Sequence, residues 1–182
     1  MSLKPLSMLL AAASLVAATP GYAKNEKSWD TASSIGAYGL AAAALGVPLV
    51  RDDMQGALQA GGSMGAAKLL AIGLKEAFPE RRPDGSDRKS FPSGHTSLAF
   101  AAASTMFERE GPSFGVPALA VATFVGVARV QADKHHWYDC VAGAGIGVAS
   151  GFLITRHRPE QTAALIPWGD TKGGGVSFAM RF

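Results

Sequence analysis

Short polar segments divide this chain into five long apolar stretches, and this division limits the possible folds more than any other feature of the sequence. The stretches cover residues 31–50, 54–74, 96–107, 113–128 and 140–155. Charged residues, glycine or proline separate them, and such residues end helices. We therefore predict an all-α fold in which about five core helices pack as a bundle.

Glycine recurs every fourth residue in the last apolar stretch, at Gly143, Gly147 and Gly151. Residues four apart share one face of a helix, and glycine on that face lets a second backbone approach closely. This face is predicted to be a helix-packing surface.

The last residues have a different pattern. After three consecutive glycines, apolar residues alternate with other residues over 176–182. Alternation with period two is typical of a strand, and pairing with residues 164–168 would form a hairpin. We assign residues 161–182 to a tail that forms a short C-terminal β-hairpin or strand.

The first 23 residues have the composition of a secretory signal peptide. Lys4 precedes an uncharged run over residues 5–23, which ends in Gly21-Tyr22-Ala23 before Lys24. This order matches a charged, an apolar and a small-residue cleavage region. We predict a signal peptide at 1–23, with an uncleaved N-terminal anchor as the alternative, and a helical domain at 24–160. The expected location is the periplasm or cell envelope, with the inner membrane as the alternative.

Whether the helices cross a membrane is a separate question. A spanning helix needs about 20 mostly apolar residues. The last three stretches have only 12, 16 and 16 residues, and the mean hydropathy is only +0.15. These values favour a soluble or peripheral bundle, and an integral membrane protein is the alternative.

Net charge and cysteine content exclude several functions. The formal net charge is +3, and loss of residues 1–23 would leave +2, which is too weak a field to attract nucleic acid. Cys140 is the only cysteine, so neither an intrachain disulfide nor a cysteine-based zinc site can form. We predict no metal ion. Whether the protein forms an oligomer is left open, because helix faces made of small residues can also pair between chains.

Three polar clusters lie at the ends of the apolar stretches, and together they suggest a phosphate site. Lys75, Arg82 and Arg129 offer cations that match phosphoryl oxygens. Ser93 and Gly94 lie at a predicted helix N-terminus, where free backbone N–H groups favour an anion.

The third cluster offers acid–base chemistry. His135 and Asp139 are four residues apart, so on a helix they would share a face, and the carboxylate would fix the tautomer of a nucleophilic histidine. His95 could then protonate a leaving group from the other side of the phosphate. We expect the adjacent His136 to point away from His135.

Each cluster also has a purely structural interpretation. Arg82 lies in a loop of mixed charge, which by itself indicates a solvated segment. Ser93 by itself is typical of a helix N-cap, and Asp139 of a residue at a helix start. The functional interpretation depends on all three clusters occurring together.

In that combination the chain resembles the PAP2 superfamily, the type 2 phosphatidic acid phosphatases and their relatives, including vanadium haloperoxidases. The one departure is Ala128, which stands where the family has a serine. The matching residues are Lys75, Arg82, Pro83, Pro92, Ser93, Gly94, His95, Arg129, His135 and Asp139.

The resemblance implies a PAP2-type helical bundle and a role for each residue. His135 would attack phosphorus and form a phosphohistidine, Asp139 would orient it, and His95 would protonate the leaving group and then activate water. The resemblance implies no metal ion or other cofactor, with vanadate as an inhibitor. The remaining residues would bind phosphate, namely Lys75, Arg82, Ser93, Gly94 and Arg129.

The expected function is thus a metal-independent phosphatase for phosphate monoesters or pyrophosphates. A phosphorylated small molecule and a lipid phosphate both remain open as the substrate, the latter with membrane association. Two alternatives also remain. One is a haloperoxidase with vanadate as its prosthetic group, and the other is a non-catalytic anion-binding or structural protein of the envelope.

Overall fold

The computed structural model describes residues 25–157, 163–170 and 173–180. The predicted signal peptide lies outside these residues. The helices are α1 (Glu26–Val50), α2 (Met54–Ala77), α3 (Gly94–Glu110), α4 (Pro112–Gln131) and α5 (Trp137–Ile154). The all-α fold class is confirmed, and the helices run several residues beyond most of the predicted bounds.

The helix starts follow from local side-chain chemistry. Asn25 accepts a hydrogen bond from Ser28 N, and Asp53 accepts one from Gly56 N. Ser93 caps α3 in the same way. Such caps satisfy backbone donors that have no partner within the helix. Gly111, with φ of 79°, lets the chain turn sharply between α3 and α4.

Helix α3 is the centre of the bundle and contacts each of the other four helices. Its inner residues are small, and Ala99, Ala101, Ala102 and Ala103 are fully buried. Small side chains bring helix backbones close together, so that dispersion contacts replace a bulky core.

The glycine face of α5 is a helix-packing surface, as the sequence predicts, and its partner is α3. A Cβ atom at Gly147 would lie 2.5 Å from the carbonyl oxygen of Ser97, and one at Gly143 would lie 2.6 Å from that of Ser93. Any side chain there would collide with backbone. The contact fixes the first turns of the two helices relative to each other.

The outer surface of the bundle is strongly apolar. Val50, Leu69 and Leu153 are 88%, 71% and 84% exposed, and apolar exposure of this extent marks contact with a membrane or a partner. Three helices, α1, α4 and α5, are long and apolar enough to cross a membrane. These observations favour the integral membrane alternative over the soluble or peripheral bundle. The apolar stretches are shorter than the helices because polar residues occupy the helix ends.

A polar cluster stabilises the bundle end at which α1 and α3 terminate. Arg109 is buried there, pairs with Asp53, and donates to the side chain of Gln59 at 2.8 Å and to the carbonyl of Arg156 at 3.2 Å. A buried guanidinium needs such partners.

The C-terminal residues form two antiparallel strands, β1 (Ala163–Asp170) and β2 (Gly173–Met180). Their register pairs Ala163 with Met180 and Asp170 with Gly173.

Candidate active site

The three polar clusters of the sequence meet at one end of the bundle. Because successive helices run in opposite directions, the C-termini of α2 and α4 lie at the same end as the N-termini of α1, α3 and α5. Two hydrogen bonds show this directly: Ser93 N donates to Asp139 O at 3.0 Å, and Lys75 Nζ donates to Pro92 O at 2.6 Å.

His135 and Asp139 face each other, although not on a shared helix. His135 lies in the loop before α5, so the prediction of a common helical face is wrong. Its Nδ1 is 3.6 Å from Asp139 Oδ2, and the side chains are 2% and 0% exposed. Asp139 turns back toward the loop because it accepts a hydrogen bond from His136 N at 2.8 Å. This is the capping geometry of a helix start.

Two further groups hold the Asp139 carboxylate. The buried hydroxyl of Ser90 donates to Asp139 Oδ2 at 2.5 Å. His136 Nδ1 lies 3.4 Å from the same oxygen that faces His135, so the expectation that His136 points away from His135 is wrong. The sequence does not predict the role of Ser90, because a single serine in a charged loop carries no periodic signal.

The surroundings of His135 favour its neutral form. Burial lowers its pKa to about 4, while the nearby Asp139 carboxylate opposes this shift. The positive charges of Arg129, Lys75 and Arg82 lower the pKa further. A neutral imidazole retains the lone pair that a nucleophile requires.

His95 begins α3 on the side of the site that faces α1. Its Nε2 lies 3.4 Å from Ser34 Oγ, and the ring of Tyr38 packs edge-on against its imidazole with centroids 5.6 Å apart. Burial is the main cause that lowers the pKa of His95 to about 4, and the positive charges of Arg129 and Lys68 also lower it. The sequence does not predict this contribution of α1, since neither Ser34 nor Tyr38 belongs to a motif.

Arg129 is buried at the C-terminal end of α4. It pairs with Asp30 of α1 and donates to Ser33 Oγ at 3.3 Å. Its Nε has no hydrogen-bond partner among the described residues. Helix α1 therefore orients the guanidinium and leaves one donor free.

Lys75 is bound to the loop that leads into α3. Its ammonium donates to the carbonyl oxygens of Lys89, Ser90 and Pro92 at 2.7, 3.2 and 2.6 Å. Burial and the charge of Arg82 lower the pKa of Lys75 to about 8. In this structure Lys75 fixes the loop, and its predicted contact with phosphate stays a prediction.

Arg82 lies at the edge of the site, partly buried. Its Nε donates to Asp87 Oδ1 at 2.7 Å, and its Nη1 donates to the carbonyl of Lys134, next to His135, at 3.3 Å. The loop around Arg82 is closed at its base, where Ser90 N donates to Glu80 O at 3.0 Å.

Ser93 and Gly94 begin α3. Ser93 is fully buried and its hydroxyl bonds to Thr96 Oγ1 at 2.9 Å, so the N-cap interpretation is confirmed. Gly94 keeps the helix start open: a Cβ atom there would lie 3.9 Å from Lys68 Nζ and 4.0 Å from Lys75 Cε. Binding of phosphate by these two residues remains a prediction.

Among the described residues, Glu80, His136 and Asp139 have donor atoms within 4.8 Å of one another and could hold a metal ion. Asp139 Oδ2, the oxygen near His136 Nδ1, already accepts hydrogen bonds from Ser90 and from His136 N. A metal ion would have to compete with these donors. The expectation of a metal-free site stays untested.

The fold and the site together define a helical-bundle protein that gathers two histidines, a buried aspartate and several cations at one end. The model of the PAP2 superfamily matches residues 56–163, and the chain belongs to this superfamily.

Relatives and solved structures agree with this assignment. The chain is 34% identical over 137 residues to a lipid A 1-phosphatase of Porphyromonas gingivalis. The match covers 73% of this chain and 25% of the relative. LpxE of Aquifex aeolicus has a similar fold, with a TM-score of 0.62 and 21% identity over 84% of this chain and 98% of that one. A transmembrane PAP2-type phosphatidylglycerolphosphate phosphatase of Bacillus subtilis also has a similar fold, with a TM-score of 0.57 and 24% identity. This match covers 82% of this chain and 81% of that one.

The curated relatives are longer than the matching part of this chain. The chain spans between about a quarter and a half of their length.

Proposed function

We propose that the chain is a membrane-embedded, metal-independent phosphatase that hydrolyses lipid phosphates through a phosphohistidine. The observation that carries this proposal is the buried pair of His135 and Asp139, with Nδ1 and Oδ2 3.6 Å apart. A binding protein would need only the cations, whereas a buried imidazole oriented by a carboxylate is the arrangement of a nucleophile.

In the first step, His135 Nε2 attacks phosphorus while Asp139 holds Nδ1. The bond between phosphorus and the leaving oxygen breaks, and the electron pair stays on that oxygen. His95 donates a proton to the same oxygen. The pKa of His95 is low in the empty site, and the negative charge of a bound phosphate would raise it, so that the proton arrives with the substrate.

In the second step, His95 accepts a proton from water, whose oxygen attacks the phosphohistidine. The bond between nitrogen and phosphorus breaks, its electron pair returns to His135, and inorganic phosphate leaves. Arg129, with its free Nε, Arg82 and the open start of α3 at Gly94 are placed to balance the charge of the phosphoryl oxygens in both steps.

Two observations support a lipid substrate over a soluble one. The outer faces of the helices are apolar up to the site end, where Trp137 is 68% exposed. An amphipathic lipid in the membrane would therefore reach the site laterally. Among the relatives are two lipid A phosphatases and two lipid phosphate phosphatases. We infer a lipid phosphate monoester or diphosphate as the substrate.

The test measures phosphate release from phosphatidate, lipid A and a prenyl phosphate in detergent micelles with EDTA, using the full chain. We expect turnover without metal, inhibition by vanadate, and a loss of about 10³-fold or more in kcat for His135→Ala. His157→Ala is the matched control, because His157 is exposed at the opposite end of the bundle. It should retain wild-type activity.

Equal activity in His135→Ala, or turnover that appears only after metal is added, would refute the mechanism. Failure with every phosphate ester would leave the non-catalytic bundle as the better description.

A further inference from the structure

Lys68 is a cation of the site end that belongs to none of the three clusters. It lies on α2 two helical turns before Lys75, so both side chains project from the same face, toward α3. Lys68 Nζ is 3.9 Å from the position that a Cβ atom would take at Gly94. The two ammonium-bearing side chains therefore converge on the first residue of α3.

The residues next to Lys68 along α2 are apolar and offer no partner for its charge. Leu69 and Leu70 are 71% and 54% exposed on the outer surface, where a lysine would be costly if the helix lies in lipid. Among the described residues, Lys68 has neither a hydrogen-bond partner nor an ion-pair partner. The Lys68 side chain is itself exposed and reaches toward the start of α3, where its ammonium is accessible to a substrate.

The position of Lys68 relative to the two histidines indicates which part of a substrate it would meet. Lys68 Nζ lies beside Gly94, the residue that precedes His95, and its positive charge lowers the pKa of His95. His95 is the residue that we place beside the leaving oxygen. Lys68 thus lies on the leaving-group side, and Arg82 lies on the side of the attacking imidazole.

We propose that Lys68 is a specificity-determining residue that binds an anionic leaving group, so that the site prefers a lipid diphosphate over the corresponding monophosphate. This inference rests on the proposed function. In a diphosphate ester His135 attacks the terminal phosphorus, and the bond to the bridging oxygen breaks. The electron pair stays on that oxygen, which His95 protonates as a lipid monophosphate leaves. Lys68 binds the remaining charge of this product phosphate, which a monoester substrate lacks.

The test compares kcat/KM for a prenyl diphosphate and for the prenyl monophosphate of the same chain length. The variants are Lys68→Met, Lys68→Arg and, as control, Lys27→Met, which removes an exposed lysine at the same end of the bundle. A lost charge-assisted hydrogen bond predicts a fall of about 10- to 100-fold for the diphosphate in Lys68→Met. The monophosphate should change by less than about 3-fold, Lys68→Arg should recover most of the diphosphate activity, and the control should match the wild type.

Thermal unfolding of each variant shows whether Lys68→Met is folded, and the ratio of the two substrates is independent of the folded fraction. An unchanged ratio in Lys68→Met, or a wild type that cleaves only the monophosphate, overturns the role of Lys68 and leaves the phosphatase proposal intact. If the wild type cleaves neither ester, the proposed function is refuted, and so is the role of Lys68 that depends on it.

Discussion

At the scale of single residues, the charge state of Lys75 limits the pH range in which the site can work. Its ammonium holds the loop before α3 through three carbonyl oxygens. With its pKa lowered to about 8, Lys75 loses its proton within the mildly alkaline range. A neutral amine has fewer protons to donate, so both the loop and the local positive potential weaken as pH rises.

We therefore expect kcat/KM to fall as pH rises through about 8 and, at the other end, as pH falls through about 4, where His135 becomes protonated. In Lys75→Arg the alkaline fall should shift to beyond about pH 10, because the guanidinium stays charged. The measurement is the pH profile of kcat/KM for both proteins with one substrate. The two proteins are compared by the shape of the pH profile, because the substitution also lowers the absolute rate. Identical alkaline limbs in the two profiles would contradict the prediction.

The sequence predicts the residues that we propose as catalytic better than the residues that hold them in place. His95, His135, Asp139 and Arg129 are recognisable because they occur in fixed order and spacing. Their supports, Asp30, Ser34 and Ser90, come from α1 and from the loop before α3. They act through contacts between segments far apart in the chain, and such contacts leave no local pattern.

At the scale of helices, the packing of α5 on α3 positions the site. Asp139, which faces His135, lies in the first turn of α5, and His95 lies in the first turn of α3. The distance between the two helices therefore sets the distance between the proposed nucleophile and the proposed acid. The sequence predicts a close contact of α5 because glycine at every fourth position is typical of a helix-packing face. It does not predict which helix is the partner, because every helix of the bundle offers small residues.

Gly147→Ala should lower the stability of the fold by about 1–3 kcal/mol, since a Cβ atom would lie 2.5 Å from the carbonyl oxygen of Ser97. Gly145→Ala is the matched control, because a Cβ atom at Gly145 has no neighbour within 4 Å among the described residues. Alanine has the higher helix propensity, so this control should be neutral or slightly stabilised. Thermal unfolding in detergent, together with kcat for a lipid phosphate, measures both effects. Equal stabilities of the two variants would show that α5 can move away from α3 without cost.

At the scale of the whole molecule, the distribution of side chains reverses that of a water-soluble bundle. Small residues, mainly alanine, make up most of the buried core, while many leucine, valine and isoleucine side chains are exposed on the outside. Such a molecule is stable where its surroundings are apolar as well. Mean hydropathy does not reveal this arrangement, because it averages the apolar exterior with the charged helix ends.

The full chain should accordingly remain in the membrane fraction after a wash with alkaline carbonate and be released by detergent. Exposed Leu153 and Val50 would otherwise contact water, at roughly 1.5–3 kcal/mol for each fully exposed side chain. Sedimentation followed by immunoblotting measures the distribution, with a peripheral membrane protein as the control that the wash releases. Recovery of the chain in the wash would restore the peripheral alternative.

The closed base of the loop around Arg82 has a consequence for how the molecule can change over evolution. Ser90 N donates a hydrogen bond to Glu80 O, and the backbones of Glu80 and Lys89 form an isolated β-bridge. The two ends of the segment 81–89 are thus fixed independently of its length. Lengthening such a segment costs only about 0.6 kcal/mol for each doubling. Insertions in this segment can reshape the edge of the site beside Arg82 and so alter the range of substrates, while the helix residues proposed to bind phosphate, Gly94 and Arg129, keep their positions.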